Sequence, residues 1–141
     1  MKIHITKIRP NAVIPTYGTP NSGAFDLAAA ETITIEPLSQ GIVPTGLVMC
    51  IPEGHVMHVF PRSSTFQKFG IFLSNGVAVI DSDYCGPTDE LMVMFYNPGD
   101  KPVTISSGTR IAQAIIYPRP KIEFEEGAAD GPSRGGFGST G

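Results

Sequence analysis

Glycine and proline punctuate this chain along its whole length. The 16 glycines and 13 prolines are dispersed instead of being collected in one linker. They separate short stretches rich in Val, Ile, Phe and Thr, and such stretches between turn residues are typical of an all-β sandwich or barrel. We therefore predict an all-β fold with its strands in KIHITKI, TITIEP, GIVPTGLVMCIP, HVMHVFP, GIFLSNGVAVID, ELMVMFYNPGD and KPVTISSGTRIAQAIIYP.

Two local signals refine this prediction. Asn75-Gly76 lies between two apolar stretches, and this dipeptide is the strongest short-range sign of a β-hairpin. The segment RSSTFQKFG, residues 62–70, favours a helix of one or two turns with Ser63 or Ser64 as its N-cap. Helix signals are nearly absent elsewhere.

Length and charge exclude several classes of protein. A chain of 141 residues is long enough for one domain with its own core. Its 10 basic and 13 acidic residues give a net charge of −3, which argues against a nucleic-acid-binding surface. No apolar run approaches the length of a membrane span, and the N-terminus lacks the apolar core of a signal peptide. We expect a cytoplasmic protein with neither nucleic acid nor membrane as a partner.

The cysteines and histidines carry little signal in the sequence. Cys50 and Cys85 form no CxxC pair, so free buried thiols are the expectation. His55 and His58 would point to opposite faces of a strand, which argues against a metal site that they share.

The composition changes after about residue 125. The segment EEGAADGPSRGGFGSTG has many glycines and few apolar residues, so we predict a β domain at 1–125 and a flexible, Gly-rich C-terminal tail at 126–141. A frayed terminus is the ordinary interpretation. However, Phe137 lies near Arg134, Ser139 and Thr140, an aromatic ring, a cation and two hydroxyls that together suit a base and its phosphates.

Four groups of polar residues interrupt the apolar pattern. Asp81 and Asp83 follow the apolar run Val77–Ile80, and a buried carboxylate needs a partner or a function. Arg62, with Ser63 and Ser64, suits a phosphate. Asp26 interrupts GAFDLAAA, and Gln113 lies in GTRIAQ, where alternation would put it on the same face as Ile111 and opposite Arg110. Each group alone favours a structural role.

Together and in order, these segments resemble the trimeric dUTPase family across essentially the whole chain. The family's five motifs match SGAFDLAAA, PRSS, SNGVAVIDSDYCG, GTRIAQ and RGGFGSTG. The resemblance implies a jelly-roll fold of the dUTPase-like β-clip type and hydrolysis of dUTP to dUMP and pyrophosphate. It also implies Mg²⁺ on the triphosphate and a homotrimer with active sites at subunit interfaces. Such activity limits uracil incorporation into DNA and supplies dUMP for dTMP synthesis.

The resemblance also implies roles for individual residues. Asp81 would be the general base that activates water, and Tyr84 would pack on the deoxyribose. Independently of the resemblance, alternation puts Asp83 on the same face as Asp81, and we hypothesise a structural role for it with Arg110 as its partner. Asp26 would lie near Mg²⁺ and contact it through water. The remaining matched residues would bind the substrate. The uracil would be bound by Asn75, Gly76 and Val77, and the phosphates by Arg62, Ser63, Ser64 and Gln113. The tail would close over the base and the triphosphate with Arg134, Phe137, Gly138, Ser139 and Thr140.

Two other functions remain open at this point. The dCTP deaminases share the fold, but they carry a glutamate where this chain has Met94, and they lack the GGFGSTG ending. A non-enzymatic regulator is the second alternative, and the presence of Asp81, Tyr84 and the tail argues against it. The sequence further predicts a short surface loop at Pro87–Asp89.

Overall fold

Twelve short strands and one short helix make up the regular structure of residues 1–136, which are the residues that the computed structural model describes. The elements in chain order are β1 (His4–Lys7), β2 (Thr16–Tyr17), β3 (Phe25–Ala28), β4 (Ile33–Ile35), β5 (Ser39–Pro44), β6 (Leu47–Cys50), β7 (His55–Pro61), α1 (Thr65–Phe69), β8 (Phe72–Leu73), β9 (Ala78–Ile80), β10 (Met92–Asn97), β11 (Val103–Ile105) and β12 (Arg110–Pro118).

The strands form four antiparallel sheets. The largest has the order β2-β3-β12-β7-β9, and a second sheet has the order β5-β10-β8. Two further pairs, β1-β6 and β4-β11, complete the strand network of the described residues. Most neighbours in these sheets are far apart in sequence, which is typical of Greek-key and jelly-roll connections. The all-β prediction is confirmed.

One hydrophobic core joins the sheets. In β7, Met57 and Val59 are fully buried while His58 is half-buried, as the alternation of a strand requires. Ala112 and Ala114 of β12 are also fully buried between the neighbouring strands β3 and β7. Apolar side chains of the other sheets, including the fully buried Phe95 of β10, belong to the same core.

The Asn75-Gly76 signal marks a corner instead of a hairpin. A turn does form, since Gly76 N–H donates to the Leu73 carbonyl at 3.1 Å and Gly76 has a φ of 68°. However, β8 pairs with β10, whereas β9 pairs with β7. The predicted pairing of the flanking strands is therefore wrong, because Leu73 is drawn into the core beside Phe95 while the chain after the turn joins the large sheet.

The two cysteines form a disulfide, so the expectation of free thiols is wrong. Cys50 ends β6 and Cys85 lies in the connection after β9, with their Cα atoms 5.0 Å apart. That separation lies within the usual range for a disulfide. The fold brings together residues that are 35 positions apart in sequence, which spacing alone does not reveal.

The final described segment has no regular structure. Residues 119–136 form neither helix nor strand and are exposed, whereas residues 137–141 lie outside the described part of the chain. The division at residue 125 therefore remains a prediction. Among residues 1–136, no helix is long and apolar enough to cross a membrane.

Candidate active site

Three strands of the large sheet bring polar side chains to one cavity. Asp26 comes from β3, Arg62 directly follows β7, and Arg110 and Gln113 come from β12. With Ser63, these side chains line a cavity of about 270 Å³ that we call the arginine pocket. The pocket brings together polar residues of the segments that sequence analysis singled out separately.

A single carboxylate holds both arginines of the pocket. Arg62 Nε donates to Asp26 Oδ1 at 2.7 Å, and Arg110 Nη1 donates to Asp26 Oδ2 at 2.9 Å. Asp26 is largely buried, whereas the Arg110 side chain is more than half exposed. Two cations against one carboxylate leave the pocket with an excess positive charge, which suits an anionic ligand.

This pairing corrects the expected partner of Asp83. The hypothesis joined Asp83 to Arg110, but Arg110 bonds to Asp26 instead. Asp83 is exposed and belongs to the turn after β9. The reason is that Asp26 lies on β3, directly beside β12, and Asp83 does not.

A β-bulge decides which side chains of β12 enter the pocket. Arg110 pairs with Ala28 but Ala112 pairs with Leu27, so two residues of β12 oppose one of β3. Simple alternation predicted that Arg110 and Gln113 face opposite sides, and this is wrong because the bulge shifts the pattern by one residue. Both side chains line the pocket, while Ile111 is buried in the core.

The short helix fixes Arg62 at the edge of the pocket. The predicted helix is confirmed as α1, with Ser64 in the N-cap position, but Ser64 makes no side-chain capping bond. The buried Thr65, the first residue of α1, instead holds the segment before the helix: its hydroxyl accepts the Arg62 N–H at 3.1 Å and donates to the Ile111 carbonyl at 3.2 Å. Gln113 adds a bond from its amide to the Pro61 carbonyl at 3.0 Å. Sequence analysis missed Thr65.

The remaining matched residues lie on a different part of the surface. Asn75, Gly76 and Val77 are exposed at the corner before β9, and Asp81 is exposed directly after that strand. Tyr84 is 41% exposed, and its hydroxyl donates to the Glu90 carbonyl at 3.0 Å.

The register of β7 and β9 separates Asp81 from the arginine pocket. Met57 pairs with Ile80, so Asp81 lies beside Val56 at the start of β7, whereas Arg62 follows the end of that strand. Extending that register by one residue, with a rise of about 3.3 Å per residue from Val56 to Arg62, puts the backbones of Asp81 and Arg62 about 20 Å apart. The described part of one chain therefore does not bring the proposed base to the proposed phosphate site.

Sequence analysis missed an ion pair behind Tyr84 that joins a partly exposed arginine to a buried glutamate. Arg9 Nε and Nη2 donate to the two carboxylate oxygens of Glu90 at 2.7 and 2.8 Å, and the Gly46 N–H donates to one of them at 2.8 Å. Glu90 is only 4% exposed. The bonds from Arg9, and to a smaller extent that from Gly46, hold the Glu90 pKa below its usual value despite the opposing effect of burial. No sequence signal links residues so far apart.

Glu90→Gln is expected to lower the free energy of unfolding by about 2 kcal/mol near neutral pH, because the charge-assisted bonds to Arg9 are lost. The folded-state pKa of Glu90 is depressed, so its contribution is present above the unfolded value of 4.5 and is lost as pH falls through the folded-state pKa. The difference between wild type and variant should therefore shrink below about pH 4.5.

Urea unfolding across pH at one fixed protein concentration measures this difference. Glu53→Gln, at an exposed carboxylate, is the control and should change stability by less than about 0.5 kcal/mol. A wild-type advantage over Glu90→Gln that stays constant into the acid range would contradict the ionised pair.

Comparison with known proteins identifies the family. The dUTPase family model matches residues 10–141. A deoxyuridine 5'-triphosphate nucleotidohydrolase of Wolinella succinogenes is 40% identical, and the alignment covers 100% of this chain and 95% of the relative.

Solved structures agree with this match. The dUTPase from Streptococcus mutans superimposes with a TM-score of 0.80 at 29% identity, covering 88% of this chain and 100% of that one. A Staphylococcus bacteriophage 80alpha dUTPase with dUpNHpp gives a TM-score of 0.87 at 23% identity, covering 99% and 98%, a likeness of fold alone. The predicted jelly roll of the β-clip type is confirmed.

The fold and the matches define the chain first as a nucleotide hydrolase of the β-clip class. It belongs to the dUTPase family.

Proposed function

We propose that each active site of this enzyme combines the arginine pocket of one chain with the Asn75–Tyr84 segment of a second chain. The enzyme is a dUTP diphosphatase and hydrolyses dUTP to dUMP and pyrophosphate. The observation that carries the shared site is the register of β7 and β9, which keeps the backbone of Asp81 about 20 Å from that of Arg62 within one chain. A second copy of the chain supplies the Asp81 that the first copy cannot bring close to its own arginine pocket.

A homotrimer is the assembly we propose, with one site at each interface. The outer face of the large sheet supports an assembly, because it exposes apolar side chains. Val79 of β9 is 57% exposed, and Phe60 and Ile115 line an open cavity of about 540 Å³ beside the arginine pocket. Apolar surface of this kind commonly marks an interface between proteins.

The arginine pocket binds the triphosphate in this proposal. Arg62 donates from Nε to Asp26 and from Nη1, at a long 3.5 Å, to the Arg110 carbonyl, which orients the guanidinium and leaves its Nη2 group for phosphate oxygens. Ser63 and Ser64 add hydroxyl donors beside it, and Gln113 has a second amide N–H besides the one that contacts Pro61. Charge-assisted bonds of this type contribute about 1.5–3 kcal/mol each.

Magnesium fits this site as an ion carried by the substrate. No group of three or more His, Cys, Asp or Glu within residues 1–136 is arranged to hold a metal. Mg²⁺ keeps several waters and commonly binds through substrate phosphates, so such a cage is not required. Asp26 is the carboxylate in the pocket lining, and lone pairs beyond its two arginine bonds can accept from the water shell of the ion. When bound, Mg²⁺ supplies neutralisation of phosphate charge.

Asp81 acts as the general base. Its carboxylate accepts a proton from a water, and the water oxygen forms a bond to the α-phosphorus as the bond to the bridging oxygen breaks. Pyrophosphate leaves with the electrons of that bond, and dUMP remains. Asp81 is exposed at the end of β9, which leaves its carboxylate accessible to a substrate held by another chain.

The residues on either side of Asp81 recognise the base and the sugar. The exposed turn Asn75–Val77 offers main-chain groups and an amide to the uracil edge. Tyr84 presents its ring for packing on the deoxyribose, where a 2′-hydroxyl would collide. Its hydroxyl donates a hydrogen bond to the Glu90 carbonyl, and this bond orients the ring.

The C-terminal tail closes over the substrate in this proposal. Arg134 is exposed and lies in the irregular segment after β12. Phe137, Gly138, Ser139 and Thr140 lie outside the described residues, and their roles in stacking on uracil and contacting phosphates remain predictions. We also infer that the enzyme works in the cytoplasm, on the free nucleotide pool.

Pyrophosphate release from dUTP, dCTP, dTTP and UTP, measured side by side with Mg²⁺, tests this function. We expect release from dUTP at least about 100-fold faster than from the other three nucleotides. The turn Asn75–Val77 selects the base and the ring of Tyr84 selects the sugar, whereas the arginine pocket binds the phosphates that all four share. Equal rates with UTP would contradict the role of Tyr84. Ammonia release from dCTP would instead indicate a deaminase.

A further inference from the structure

Residues 81–91 connect β9 to β10 and carry both Asp81 and Tyr84. The first half of this connection is held by short local bonds: Tyr84 N–H donates to the Asp81 carbonyl at 3.3 Å, and Cys85 N–H donates to the Asp83 carbonyl at 2.9 Å. Both bonds begin and end within the connection. They shape the turn without fixing it to a sheet.

The second half of the connection is anchored independently. Glu90 is buried and bonded to Arg9 and Gly46, and Leu91 N–H donates to the Leu47 carbonyl at 2.8 Å. This half reaches Tyr84 through one hydrogen bond, from its hydroxyl to the Glu90 carbonyl. A single hydroxyl bond at the tip of the ring is a weak hold on the backbone at Tyr84, and Asp81 is held on its N-terminal side, where the preceding Ile80 pairs with Met57.

The Cys50–Cys85 disulfide fixes that backbone. Cys85 directly follows Tyr84, and Cys50 is the last residue of β6. β6 is a firm support, because Cys50 pairs with His4 of β1 and the preceding Met49 is buried. The bond therefore ties the first half of the connection to a strand outside it.

We propose that this disulfide is a positioning element for Asp81 and Tyr84, and that its reduction lowers both the turnover of dUTP and the selectivity against the ribonucleotide. This inference depends on the proposed function of these two residues. The physical reason is that small displacements of a base or a packing ring are costly for a reaction that needs in-line geometry.

The bond is open to exchange with small thiols, since both cysteines are only half-buried. A dithiol reduces it in two steps. One thiolate attacks a sulfur of the protein disulfide and forms a mixed disulfide, and the second thiol of the reagent then closes its own disulfide. Two electrons and two protons pass to Cys50 and Cys85, which become thiols. Disulfides of cytosolic proteins are commonly redox-responsive, so the redox potential of the compartment would decide whether Cys50 and Cys85 are oxidised or reduced.

The test compares oxidised and dithiothreitol-reduced full-length protein, with the number of free thiols counted by mass spectrometry. Steady-state kinetics with dUTP and with UTP give kcat, KM and the selectivity ratio for each form. We expect reduction to lower kcat/KM for dUTP about 10-fold and to lower the dUTP:UTP ratio, with both restored by reoxidation.

Cys50→Ser is the matched variant, because it removes the bond without changing the connection that carries Asp81. It should behave like the reduced wild type in both buffers. If the variant folds poorly, the reduced wild type decides alone. Unchanged kinetics after reduction, or equal losses for dUTP and UTP, would overturn the inference while leaving dUTP hydrolysis intact. Absence of dUTP hydrolysis in both redox forms would instead contradict the proposed function.

Discussion

Asp81→Asn is expected to reduce kcat for dUTP by about 10³-fold while leaving dUTP binding within a few-fold of wild type. The amide has nearly the same size as the carboxylate but cannot take a proton from water. Asp81 is exposed and makes no ion pair within the described residues, so its loss should not disturb the fold. Single-turnover kinetics together with calorimetric binding of dUTP separate the two effects.

Asp83→Asn is the matched control for this variant. Asp83 is also exposed, lies two positions away and carries the same charge change, but it has no chemical role in the proposal. It should retain kcat within about 3-fold. An Asp81→Asn enzyme that keeps wild-type turnover, or an Asp83→Asn enzyme that loses it, would show that the base is assigned to the wrong residue.

Arg62→Ala is expected to lower kcat/KM for dUTP by about 100-fold, because charge-assisted bonds to the triphosphate are lost. The fold should be largely maintained, since Asp26 keeps its bond to Arg110 at 2.9 Å. Arg62→Lys should recover only part of the loss, because an ammonium group cannot both bond to Asp26 and present a planar fork to phosphate.

Arg119→Ala provides the control for removing a positive charge. Arg119 is exposed just beyond β12 and lies outside the lining of the arginine pocket. Its replacement should leave kcat/KM within about 2-fold at physiological salt, where distant charges are screened. Equal losses for Arg62→Ala and Arg119→Ala would indicate a general charge effect and not a phosphate site.

Much of the fold could be predicted because its signals are local. Turn residues between apolar stretches indicate strands, and this signal was sufficient for β7 and β10, whereas the serines of residues 62–70 indicated the short helix α1. The segments of Asp26, Arg62 and Gln113 stood out because each interrupts an apolar pattern. The structure brings the three side chains to one pocket, as their shared resemblance implies.

What could not be predicted depends on contacts between distant residues. The bulge at Ile111 puts Arg110 and Gln113 on the same face of β12, and no local sequence pattern predicts this bulge. The sequence at Asn75-Gly76 is typical of a hairpin, but β8 pairs with β10 and β9 pairs with β7, and those partners are distant in sequence. The Cys50–Cys85 disulfide and the Arg9–Glu90 pair join residues that only the fold makes neighbours.

Mixing two inactive variants tests the shared site most directly. Asp81→Asn chains keep an intact arginine pocket, and Arg62→Ala chains keep an intact Asp81. In trimers assembled at random from equal amounts, about a quarter of the interfaces would combine the two intact halves. We predict that co-assembled protein recovers about a quarter of wild-type turnover, although each variant alone is nearly inactive. Turnover no higher than that of the separate variants would show that the pocket and Asp81 act within one chain, and would contradict the shared site.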